Sequence, residues 1–220
     1  MNKKVILMMH QKAKLSMLVI GAFVSTLSAA SNFSYTEVSG YTGKYSLEVD
    51  PQLEPYVADT GKNHHISVSH QVTDNLAFRL SGEYKDGTKY RLDRADLTET
   101  RIEVTSEFPL AVNSKVDVVP FAGMAQIDQE LCLNDECSSA EDEGAVYGGL
   151  VRTWFPSGVF SNYFDYFEFN VRYSDYQIPG VESTTRFGLG GWFNDNHRVE
   201  VRAEDSEQGY TYVGGYSYTW

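Results

Sequence analysis

Charged residues recur at even spacing through several stretches of this chain: Arg79 and Glu83; Arg101, Glu103 and Glu107; Glu168 and Arg172; Arg198, Glu200, Arg202 and Glu204. Arg152 and Arg186 sit in similar surroundings. On a β-strand, side chains two apart share a face, so each set forms one charged row. Rows lining a wet channel could pass small solutes. Rows packed together would neutralise one another, and mixed signs within single strands favour that over a selectivity ring of one sign.

A second chemistry is conceivable at His65, Ser67, Ser69 and Gln71, which share one strand face beside His64; His70 and His197 lie elsewhere. A serine and a histidine are the core of many hydrolytic sites. Residues two apart on a strand face are spaced for packing, however, and no orienting acid accompanies them. The expectation is a non-enzymatic protein.

The third cluster is acidic: Asp128, Glu130, Asp135, Glu136, Glu141, Asp142 and Glu143. Carboxylates can hold Ca2+ or Mg2+, yet the alternating ligands and glycine of a calcium loop are missing. A solvated loop without metal or cofactor is expected. Cys132 and Cys137, five apart, are expected to pin that loop as a disulfide. No histidine or further cysteine lies within thirty residues to complete a thiolate metal site.

Strands must carry these rows, because the charged positions alternate with apolar ones. Leu76, Phe78, Leu80, Gly82 and Tyr84 oppose the Arg79 row; Ile102, Val104 and Phe108 oppose the Arg101 row. Phe167, Phe169, Val171 and Tyr173 oppose Glu168, and Val199, Val201 and Ala203 oppose Arg198. The final strand sets aromatics at positions 210, 212, 216, 218 and 220 against Thr211, Ser217 and Thr219. An outer face touching lipid, ending in an interfacial aromatic belt, accounts for that pattern.

The expected fold is an all-β, transmembrane antiparallel up-and-down β-barrel with the charged rows inside. Ten strands are expected, at about 33–42, 62–72, 76–86, 97–108, 116–127, 143–155, 164–176, 183–193, 197–206 and 209–220. Eight is the alternative, because the first alternates weakly and Val118-Val119-Pro120-Phe121 predicts a bulge in the fifth. Thr73-Asp74-Asn75 and Asp195-Asn196 are tight turns at the end holding the termini, with Pro156–Asn162 long for that end. Loops 43–61, 87–96, 128–142 and 177–182 lie opposite.

Lys3, Lys4, Lys12 and Lys14 without any acid, an apolar run from Leu15 to Val24 and the small residues Ser28-Ala29-Ala30 read as a secretory signal peptide. Residues 1–30 are then removed, and 31–220 form one barrel domain. That domain holds 14 basic and 30 acidic residues, a net charge of −16. Such a polyanion is repelled by phosphate backbones, which excludes nucleic acid as a partner.

Gly215, Tyr218 and Trp220 resemble the C-terminal sorting signal of Gram-negative outer-membrane barrels, in which a glycine precedes two alternating aromatics. Val213 stands where that signal usually has a polar residue. Phe33-x-Tyr35-x-x-Val38, the run from Ile66 to Leu76 and the glycine-rich aromatic finish are similar to small porin-like outer-membrane β-barrel proteins. The resemblance implies export to the cell outer membrane, contact with its lipid, and recognition of the last strand by the barrel-assembly machinery; a monomer is expected. It implies little about activity. The residues favour a structural or surface-interaction barrel with a side-chain-filled polar lumen. A narrow porin-like channel is the alternative, and an outer-membrane hydrolase ranks third.

Overall fold

The computed structural model describes residues 31–47, 61–87, 95–133, 136–206 and 209–220. The expected signal peptide and Asp135 lie outside them. The described residues form the strands β1 (Glu37–Leu47), β2 (Gly61–Thr73), β3 (Leu76–Asp86), β4 (Ala95–Glu107), β5 (Leu110–Asn113), β6 (Val116–Leu133), β7 (Glu136–Pro156), β8 (Tyr166–Tyr176), β9 (Thr184–Phe193), β10 (His197–Ser206) and β11 (Gly209–Thr219). Each pairs antiparallel with its neighbour, and β1 closes on β11 from Glu37↔Thr219 to Leu47↔Gly209.

β4 and β5 are two pieces of one stave. Glu107 pairs with Phe121 and Leu110 with Val118, so the register on β6 continues unchanged across the gap. The gap falls at Phe108-Pro109 because proline has no N–H for the ladder. The barrel therefore has ten staves, not eight. The bulge expected at Val118–Phe121 is absent, since β6 pairs with β7 there in unbroken register. Pro120 instead uses its carbonyl to accept from Phe108 N–H at 2.9 Å, and the interruption appears in the facing stave.

The faces follow the sequence period. Ile66, Leu80, Val104, Val201 and Tyr212 point outward and are more than half exposed, while Glu107 and Glu168 point inward with no exposure at all. Burial inside charged rows with apolar rows outside inverts a water-soluble sandwich. The near rim, which holds the described termini, has tight turns. Asn194 and Asp195 adopt φ of 53° and 56°, left-handed values that these two residue types tolerate.

Two expectations about segments are corrected, and the third, the long near-rim connection, is borne out. β1 begins at Glu37, and residues 31–35 leave the wall to cross the near mouth. The expected loop 128–142 is largely strand: β6 and β7 run on as a hairpin beyond Val146↔Tyr176, the last pair between β7 and β8. The long near-rim connection folds into a single turn, Gly158–Phe160, against the outer wall, where Phe160 and Phe164 meet Phe167 with ring centroids 6.1 and 5.2 Å away.

Leu80 lies mid-strand on the apolar face. Leu80→Arg should destabilise the protein folded in lipid vesicles by about 2–4 kcal/mol in urea titrations, the cost of a cation near a bilayer midplane. An unchanged midpoint would mean that this face meets water.

Candidate functional site: the charged lumen and the protruding sheet

Inside a ten-stave barrel, glutamate is short and stays by the wall, whereas arginine reaches across. Glu168 on β8 accepts from Arg152 Nε and Nη2, Arg198 Nη1 and Trp192 Nε1, all at 2.9 Å. Glu107 on β4 accepts from Arg79 at 2.9 Å and Arg172 at 2.8 Å. Glu200 on β10 accepts from Asn170 at 2.9 Å, Tyr41 O–H at 2.9 Å and Arg202 at 3.0 Å. Toward the far rim Arg101 meets Glu99 at 3.1 Å and Glu83 at 3.6 Å, Tyr176 O–H donates to Glu103 at 2.6 Å, and Arg186 pairs with Glu204.

All the lumen charges read from the sequence thus face inward, and each has a partner of opposite sign or a hydroxyl. Guanidinium planes also stack on rings: Arg202 lies 3.6 Å from the Tyr41 centroid and Arg172 lies 3.8 Å from that of Phe121. Buried ions stabilise only when this fully satisfied; one lost partner strands the other. Sequence reasoning missed Glu37, Asp117, Tyr35, Tyr41 and Tyr176. Glu37 and Asp117 lay in the two weakly alternating strands, and the tyrosines resembled lipid-facing aromatics.

Among the described residues, a segment folds across each mouth. At the near one, Asn32 donates its backbone N–H and its side-chain amide to the Asp117 carboxylate, at 2.9 and 2.7 Å. Tyr35 O–H reaches the same group at 3.2 Å, and Arg152 Nη1 donates to the Ser34 carbonyl at 3.2 Å. Asp117 belongs to β6, halfway round the barrel from β1, so residues 31–35 are a strap across the opening. At the far mouth the segment after β8 folds inward, burying Ile178 with Phe121, Ile127, Val146 and Tyr176. Among the described residues the lumen holds cavities of about 50, 10 and 10 Å3, room for a few waters. The largest is bordered by His65, Arg79, Glu103, Arg172, Arg186 and Arg202.

The histidine and serine row does not form a catalytic pair. Ser67 Oγ lies 2.7 Å from Ser39 Oγ and accepts from Arg79 at 3.1 Å, and His65 Nδ1 has no hydrogen-bond partner among the described residues. His64 Nδ1 meets Thr42 on the outer wall at 3.0 Å.

Cys132 and Cys137 are bonded, with Cα atoms 4.0 Å apart. They are directly opposite each other in the β6–β7 ladder, so the bridge ties two strands near the hairpin tip and does not pin a loop. Glu130 approaches both sulfurs, the one place among the described residues where three potential metal ligands converge, but the disulfide occupies the sulfurs. Asp128 faces Glu141 across the same hairpin, and Gln126 Nε2 donates to Glu141 at 3.0 Å.

The closed antiparallel barrel has structural counterparts. The β domain of the Bordetella autotransporter BrkA matches with a TM-score of 0.50 at 10% identity, covering 85% of this chain and 100% of that one. This is the fold of outer-membrane β-barrels. Looser similarity, at a TM-score of 0.40 in each case, extends to the attachment invasion locus protein Ail of Yersinia pestis and to the KdgM porin. Ail is 10% identical over 84% of this chain and 99% of its own, and KdgM is 12% identical over 83% and 99%. No family model matches this chain, and no curated protein matches it.

Arg152→Met removes two of the donors to fully buried Glu168, and should cost about 3–5 kcal/mol in urea unfolding. Glu141→Gln on the exposed hairpin should stay within about 0.5 kcal/mol. Equal effects would contradict the ionic lumen.

Proposed function

We propose that this chain is a non-enzymatic barrel of a Gram-negative outer membrane, whose lumen is filled and whose work is done at the surface. The occlusion of the lumen at three levels carries the reading: the strap on Asp117, the arginine–glutamate layers, and the apolar cluster around Tyr176 and Ile178. A pore needs a continuous wet path of useful width, and cavities of about 50 and 10 Å3 hold only a few waters.

In this reading the near rim faces the periplasm, as short turns do in such barrels, and the β6–β7 hairpin stands outside the cell. Residues 1–30 direct export. Gly215, Tyr218 and Trp220 present the last strand to the barrel-assembly machinery. In the same reading the protein is a monomer; β1 closes on β11, so the wall offers no free edge for pairing with a second copy.

Reconstitution in planar bilayers tests the reading. Traces without steady openings are expected at voltages up to roughly the 100 mV scale of biological membranes. Regular unitary steps would overturn it in favour of a channel.

A further inference from the structure

Beyond the wall of the barrel, β7 runs for ten residues with only one neighbour among the described residues. β7 pairs with β8 from Val146 onward, but its first ten residues, 136–145, pair with β6 alone. From Glu136 to Glu143 every residue is exposed.

The direction of its backbone groups can be worked out. Gln177 N–H donates to the Ala145 carbonyl at 2.8 Å, so residue 145 turns its backbone groups away from β6. These groups alternate sides along a strand, and β6–β7 pairing has no register shift. Glu143, Glu141, Ser139 and Cys137 therefore also point their N–H and C=O groups outward. The Cys132–Cys137 spacing of 4.0 Å agrees, as the close pairs of an antiparallel ladder are those that exchange no hydrogen bonds. Among the described residues none of these four groups has a backbone partner on the open side.

Natural sheets protect such edges with lysine, proline, a bulge or a covering segment. Residues 136–143 contain no lysine or proline, and no bulge interrupts them. The protection they do have is negative charge. Between Lys115 and Arg152 the sequence holds no basic residue and eight acidic ones, among them Glu136, Glu141, Asp142 and Glu143. Like charges directly opposite destabilise a ladder, so a second copy is refused. A strand carrying lysine or arginine is not. The disulfide near the tip and the β4 strand behind β6 hold the edge straight before anything binds, which lowers the ordering cost.

We propose that the open edge of β7 from Cys137 to Glu143 is a docking strand, on which an extended basic segment of a partner protein adds to the sheet. Backbone pairing supplies the attachment, and the surrounding carboxylates select the partner's charge. The inference deepens the surface-interaction reading and rests on it.

Amide hydrogen exchange on the protein in lipid nanodiscs tests it, using as probes an octapeptide alternating lysine with valine and its glutamate counterpart. With the lysine peptide, exchange at Cys137, Ser139, Glu141 and Glu143 should slow at least about tenfold, equivalent to about 1.4 kcal/mol. With the glutamate peptide it should not change. Ser139→Pro removes one outward donor and no bond to β6, so the barrel still forms and lysine-peptide protection is lost. Unchanged exchange at millimolar lysine peptide, or equal protection by both peptides, overturns the proposal. Proteinase K cleavage of the hairpin on intact cells separates the two readings. Cleavage without peptide protection sinks the docking strand alone, whereas cleavage only after permeabilisation sinks the outward placement of the hairpin as well.

Discussion

Closure of β1 on β11 is the contact from which the remaining architecture follows. In hydrocarbon an unpaired amide or carbonyl finds no water, so a sheet survives there only without edges. The ladder from Glu37↔Thr219 to Leu47↔Gly209 removes the last two. Once the sheet is closed, the period of two decides everything else, since one row of side chains must meet the surroundings and the other must fill a narrow core. Where the sheet leaves the closed ring, on β7 above Val146, the same rule no longer applies, and an edge reappears.

The core is polar by composition and solid by packing. Glutamates stay near the wall, arginines span between them, and tyrosine or phenylalanine rings fill the gaps beneath the guanidinium planes. Each carboxylate at the centre has two or more donors, so desolvation is offset group by group. The fill is thus specific: changing one arginine leaves a buried glutamate with fewer donors.

The alternation around Arg79, Arg101, Glu168 and Arg198 made the staves and their inward faces legible, because lipid outside and ions inside impose opposite demands on neighbouring residues. The strap was not legible. Phe33 and Tyr35 have the spacing of a strand, and it is Asp117 and Arg152, far away in sequence, that divert them inward. The hairpin beyond the rim escaped for a different reason: with both faces wet it needs no apolar row, so Asp128 to Asp142 carried no period and resembled a loop. At Pro120 the irregularity was anticipated but misplaced, since Pro109 on the facing stave takes it.

The ionic core has a kinetic consequence. Several of its pairs join residues remote in sequence, Arg198 with Glu37 and Arg172 with Glu107 among them, so the layers that hold them are complete only when the last strand has met the first. An open sheet of the same staves would turn a face of arginines and glutamates toward hydrocarbon. Partly closed forms are therefore excluded from the bilayer interior, and curling, neutralisation and entry into the membrane must proceed together as one concerted event.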